Sequence, residues 1–443
     1  MTKSPSTIRL PLVRVKAINK FSIGTKILAI AFVTLSTACG SSVNPSSHAI
    51  EVSEKVNVKE TQLKQRQAGT NQTYADVEAL VNLGARVTGT DAAKKASVYL
   101  AEQYRQAGYK TKIQTFTYTK FVDLESNIIV DGKTIKGYSL KGTIPGKIKA
   151  PLVAIPNFGR SSDFIKTNQL KGAIAIIKRG EIKFAEKVRN AEKAGASAVI
   201  IFNNKPEHLR SGALAATSKI PVLAISGEEG EKLVAQTQKS PLNVTLNVNG
   251  KNQEITGRNV IAHLEGVTQP KIIVGGHYDS VEDAPGANDN ASGTAVVLSL
   301  ARNLKNSPQA RQTWFVAFDG EEDGLHGSQA FVEAATPQFL TGLKGMLNFD
   351  MVGVNKQLQI GGTPSLTALA QVVEPTIQLF GSSSLNGASS DHASFAAKNI
   401  PVMFFHRGLE PNYHSPNDKT VDPKLLEQTT QVGIDIIKRL LQS

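Results

Sequence analysis

Residues 313–328, "TWFVAFDGEEDGLHGS", carry four carboxylates within five residues, Asp319, Glu321, Glu322 and Asp323, directly behind the apolar run Trp314 to Phe318. The run reads as a buried strand and the acids as the turn that ends it. A solvated turn is the ordinary explanation of an acidic cluster. Acids crowded where a buried strand ends repel one another, however, and are costly to desolvate unless something positive sits among them. A metal site would supply that charge, and it needs partners elsewhere in the chain.

From Asn259 onward strand-like and helix-like segments alternate: "NVIAHLEG", "KIIVGGHYDS", "GTAVVLSLARNLKN", "TWFVAFDG", "GMLNFDMVG", "SLTALAQVVEPTIQLF", "IPVMFFHRG" and "KLLEQTTQVGIDIIKRLLQ". That alternation predicts an α/β fold, a mixed, mainly parallel central sheet flanked by helices. Ligands of such sheets collect beyond the carboxyl ends of the strands. His277 and Asp279 stand there after "KIIVGG", Asp289 in the next loop "PGANDNASG", Asp350 after "MLNF", and His414 in "NYHSPND". Singly, each has a bland reading as a hydrogen-bonded histidine, turn former or strand-end cap. Together on one rim, two histidines and several carboxylates suit a borderline divalent metal, zinc above all.

At 443 residues the chain exceeds one ordinary domain. Its formal charge of +13 is concentrated in residues 1–38, whose six Lys and Arg face no acid, and the remainder carries 44 basic against 37 acidic residues. No arginine-rich tract or basic helix with interleaved aromatics occurs, so nucleic acid is not an expected partner. The basic leader runs into a nine-residue apolar core, Ile27 to Leu35, too short to span a bilayer and matching a signal-peptide core. "STA" before Cys39 suits ordinary signal cleavage, and the same stretch resembles a bacterial lipoprotein signal, although Ser36 stands where a large aliphatic is usual. Both cut before Cys39 and imply export, periplasmic or extracellular. The second also implies membrane attachment through a lipidated Cys39. A single cysteine excludes an internal disulfide framework.

Residues 39–70 read as a polar tether. Helical periods follow in "YADVEALVNLGARVTGT" and "DAAKKASVYLAEQYRQAG", the second with Val98, Leu100, Tyr104 and Ala107 as one apolar face and Gly108 as its stop, before the strand "KTKIQTFTYTKF". Residues 136–254 change character: short aliphatic runs between Gly and Pro turns, with a single good helix in "KFAEKVRNAEKAGA". This is the signature of a β-rich module inserted into a discontinuous domain of residues 71–135 and 255–443.

Taken in order, "GGHYDSV", "PGANDNASGTA", "DGEEDGLHGS", "NFDMVG" and "YHSPND" resemble the co-catalytic two-zinc exopeptidases, the group that includes the secreted bacterial leucine aminopeptidases. The insert, through "GAIAIIKRGEIKFAEKVRNAEKAGASAVIIFNN", is similar to a protease-associated domain. The resemblance implies two zinc ions per chain and peptide substrates with a free amino terminus. His277 and Asp350 would hold one zinc, Glu322 and His414 the other, with Asp289 bridging. Glu321 would be general base and acid, Asp279 would orient His277, and Tyr413 matches a position that stabilises the oxyanion in some relatives. Asp319 and Asp323 receive no role. A glutaminyl-cyclase-like enzyme and a non-catalytic binding lipoprotein on the same scaffold are the rival readings. A filled set of ligand-type residues argues against both.

Overall fold

Strand Ile272–His277 is buried along its whole length, and its side chains alternate between two cores. Ile272 and Val274 join Leu347, Phe349 and Phe405 on one face, while Ile273 joins Val316, Phe318 and Met346 on the other. A strand buried on both faces is what a helix-covered parallel sheet requires. The structure, a computed structural model, describes residues 69–165, 170–209, 212–214, 216–380 and 389–442. The expected signal peptide, Cys39 and the tether as far as residue 68 lie outside these residues. Residues 69–70, assigned to the tether, already belong to a helix that runs to residue 81.

The first sheet has the order Lys110–Asp123, Gly250–His263, Thr313–Phe318, Ile272–His277, Gly345–Phe349, Val402–His406, Gln359–Gly362, Gln378–Leu379. Its central four strands, from Thr313–Phe318 to Val402–His406, are mutually parallel, and the outer pairings are mostly antiparallel. The mixed, mainly parallel expectation for the core of the sheet therefore holds. Helices 69–81, Asp91–Gln106, Gly293–Leu304 and Pro423–Gln442 supply residues to one core, and His326–Ala334 and His392–Ala396 to the other. One helix-face assignment needs correction. Val98 is 58% exposed, because the buried stripe of its helix runs through Ala93, Ala96, Ser97, Leu100, Ala101 and Tyr104, and Val98 points away from it.

The second sheet has the order Lys133–Lys136, Asn127–Val130, Asn243–Val248, Gly146–Ala154, Ile174–Lys178, Ala198–Phe202, Val222–Ile225, Tyr138–Ser139. Pairing sets its limits differently from 136 and 254. The hairpin 127–136 already belongs to this sheet, whereas Gly250 pairs with Asp123 in the first. Asp131 and Gly132, both at positive φ, form the two-residue turn of that hairpin, a sequence signal the module boundary overlooked. The crossing is pinned where Leu124 N donates to Asn249 O at 2.7 Å and Asn249 N to Ser126 Oγ at 2.9 Å. The expected helix is present as Phe184–Lys193, and a second was missed, Gly227–Thr237. Its glycines weaken the helical signal, yet Gly230 is required because a Cβ there would stand 2.2 Å from Phe202.

Candidate metal centre

Register aligns the ends of the parallel strands. His277 pairs with Phe318, and Phe349 with Phe405, so residues 277–279, 319–322, 350 and the loop after His406 leave from one edge. Asp289 reaches that edge from the turn before helix Gly293–Leu304. Gly293 lets this helix abut the strand end, since a Cβ there would lie 2.1 Å from Phe349 O.

The five ligand-type residues expected from sequence come together. His277 Nε2 lies 3.4 Å from Asp289 Oδ1 and 3.5 Å from Asp350 Oδ1, and His414 Nε2 lies 3.1 Å from both Asp289 Oδ2 and Glu322 Oε2. Asp289 thus turns one carboxylate oxygen to each histidine. Glu321 Oε2 stands farther out, 4.0 Å from His277 Nε2. Donor atoms of His277, Glu321 and Asp350, and those of His277, Asp289 and Glu322, all lie within 4.8 Å of one another. His277 Nε2, Glu322 Oε1 and Asp350 Oδ1 are buried with no hydrogen-bond partner among the described residues. Converging imidazole and carboxylate atoms left unbonded in a protein interior fit a metal ion, whose charge would compensate them.

Asp279 organises the neighbourhood. His277 Nδ1 faces its main-chain oxygen at 3.2 Å and its Oδ1 at 3.4 Å, which leaves Nε2 to the centre. The same carboxylate accepts the backbone N–H groups of Glu321 and Glu322, each at 3.2 Å, and Thr88 Oγ1 at 3.3 Å. Asp418, on the loop of His414, accepts the N–H groups of Asn288 at 2.7 Å and Asp289 at 3.0 Å. His414 itself sits at φ 54°, a left-handed conformation uncommon outside glycine, and Tyr413 stacks on its ring at 3.8 Å between centroids.

Three buried residues were not singled out by sequence. Arg86 donates from Nε to Tyr278 O at 2.6 Å, from Nη2 to Gly286 O at 2.8 Å, and from Nη1 to Pro285 O and Leu80 O, so it ties both ends of the loop between His277 and Asp289. Thr88 joins Asp279 to Asp319, which also accepts Arg258 N and Tyr278 Oη. Asp391 is fully buried, and both its carboxylate oxygens lack hydrogen-bond partners among the described residues. Asp323, left without a role, accepts Tyr118 Oη at 2.5 Å and Lys120 Nζ at 2.6 Å, fastening the turn to strand Lys110–Asp123.

Burial raises Glu322 and Asp391 to about 7, helped by neighbouring acids, and Glu321 well above its ordinary value. Burial lowers the two imidazoles, but the carboxylates around them win: His277 is raised well above 6.5 and His414 to about 10. Asp289 is held below its ordinary value, because its bonds to the two histidines outweigh burial. All the raised groups hold protons in the folded state that the unfolded chain releases near pH 4 for carboxyls and 6.5 for histidine. Their contribution is complete below those values and lost as pH rises through about 7 for Glu322 and about 10 for His414. Chelated protein should therefore lose thermal stability from about pH 5 to pH 8. Metal must displace the same protons and binds more strongly over that window. The rise in Tm on adding zinc should widen with pH, and a rise of constant size would contradict this account.

The sequence profile described as peptidase family M28 matches residues 259–437, and that of the PA domain matches residues 148–233. The chain is 33% identical over 413 residues to aminopeptidase YwaD of Bacillus subtilis, covering 88% of this chain and 87% of that one. It is 34% identical over 284 residues to the probable lipoprotein aminopeptidase LpqL of Mycobacterium tuberculosis, covering 62% and 56%. Among solved structures, BSAP, a zinc aminopeptidase from Bacillus subtilis, superposes with a TM-score of 0.71 at 29% identity, covering 83% of this chain and 94% of that one.

Proposed function

The chain belongs to peptidase family M28 and is a metallo-aminopeptidase with a PA domain inserted, and we propose that it removes the amino-terminal residue of peptides at a two-zinc centre with Glu321 as general base. The observation that carries this reading is the placement of Asp289, one oxygen toward His277 and Asp350, the other toward His414 and Glu322. That is the arrangement of two half-sites joined by one carboxylate. His277, Asp350 and Asp289 would hold one ion, and Glu322, His414 and Asp289 the other.

Zinc ions bound there would acidify a water and polarise the scissile carbonyl. Glu321, at the longer distance, is free to take the proton of the attacking water and to pass it to the departing amine. Tyr413 stacks on His414 at the rim and can donate its hydroxyl to the developing oxyanion. Asp279 keeps His277 in the tautomer that presents Nε2, and it fixes the main chain of Glu321 and Glu322 so that their side chains diverge. The centre's carboxylates attract a free substrate α-amine, which confines attack to the first peptide bond.

We also propose export, on the basic leader and short apolar core before Cys39. Among the described residues no helix is long and apolar enough to cross a membrane. The function is tested with aminoacyl-p-nitroanilides, their amino-blocked forms and amino-terminal glutaminyl peptides, before and after chelation and zinc restoration. Release from free-amine substrates alone, lost on chelation and regained with zinc, is the expected result. Pyroglutamate formation without hydrolysis would replace the aminopeptidase reading.

A further inference from the structure

The PA insert contributes a side chain to the turn that carries Glu321. Lys141 lies in the loop after strand Tyr138–Ser139 of the second sheet. Its main chain is fixed from both sides: Lys141 N donates to Gly212 O at 2.9 Å and Leu214 N to Lys141 O at 2.9 Å. Its ammonium lies 2.6 Å from where a Cβ of Gly324 would stand, and Gly324 N closes the turn onto Glu321 O at 2.8 Å. The residue is exposed. Asp323, the nearest explanation for a cation here, already holds Lys120 and Tyr118. Lys141 thus presents a positive charge over the turn that carries the proposed base.

Its side of the centre follows from the chemistry. On the reading given above, on which this inference rests, Glu321 returns the proton to the departing amine. The released part of the substrate must therefore reach the Glu321 carboxylate, and Lys141 stands over the turn that carries that residue. A leaving group that ends in a free α-carboxylate would meet that ammonium. We propose that Lys141 is a specificity-determining residue that binds the terminal carboxylate of the leaving group, so that dipeptides and other short free-acid peptides are the favoured substrates. Desolvation, together with the neighbouring Lys120, lowers the Lys141 ammonium from its ordinary value, while Asp323 and Glu321 act to raise it.

The test compares kcat/KM for a dipeptide and for its C-terminal amide, in the wild-type protein and in Lys141→Ala and Lys141→Arg. The wild type should prefer the acid by about tenfold, the size of one charge-assisted hydrogen bond at a partly exposed site. The preference should reside mainly in KM and shrink at high salt. Lys141→Ala should bring the ratio of acid to amide near one, and Lys141→Arg should keep most of it. A merely structural lysine would alter both substrates alike and leave the ratio unchanged. A wild type that cuts acid and amide equally overturns the role of Lys141 and leaves the aminopeptidase reading standing. A wild type that releases no amino-terminal residue from either overturns both.

Discussion

Glu321→Gln is expected to lower kcat by about two to four decades while the protein still takes up two zinc ions. The substitution keeps shape and volume and removes the proton acceptor. Its main chain would stay on Asp279, and Asp289, Glu322, Asp350 and both histidines remain in place. The matching change at the next residue, Glu322→Gln, removes a group 3.1 Å from His414 Nε2 and should lose metal as well as turnover. Metal content and single-substrate kinetics on both variants separate base from ligand. Normal turnover in Glu321→Gln would end its assignment as base, and loss of one metal from it would make it a ligand instead.

Arg86→Met should be the most damaging change outside the centre. Arg86 is fully buried, and burial lowers it to about 10 despite the nearby acids Asp279, Asp418, Asp289 and Glu322. Methionine fills much of the volume but leaves the carbonyls of Tyr278 and Pro285 without a donor, while Gly286 O keeps only the Ala291 N–H at 3.1 Å. At about 1–3 kcal/mol for each unsatisfied buried group, a loss of about 2 kcal/mol or more follows. Those carbonyls belong to the loop that delivers Asp289 from His277, so metal affinity should also fall by about 10- to 100-fold, as it does when the groups supporting metal ligands are lost. Thermal melting in chelator reads the first effect, and competition with a calibrated chelator reads the second. Lost stability with unchanged affinity would show that the loop finds its position without Arg86.

The rim of the sheet was legible in sequence because each apolar run ends abruptly in a residue able to bind metal: His277 after "KIIVGG", Asp319 onward after "WFVAF", Asp350 after "MLNF". Strand periodicity and strand-end position are local signals. Arg86 and Thr88 were not legible because their partners lie about 190 residues or more along the chain, and an arginine in "GARVTGT" looks like any surface residue. Asp391 was hidden for a different reason. It follows no strand and opens the short helix His392–Ala396. The second sheet was read too narrowly because its first hairpin follows strand Lys110–Asp123 after only three residues, so a change of sheet looked like a continuation. Val98 was assigned to the buried face of its helix because hydrophobicity alone does not fix the phase of a stripe that Ala93, Ala96 and Ser97 also define.

The most direct test of the two-zinc reading is a zinc titration of chelated protein, with bound metal and hydrolysis of a free-amine substrate followed together. Full activity only as the second ion per chain binds, with two ions at saturation, is the predicted result. Activity complete at one ion per chain, with no further zinc taken up, would contradict the account.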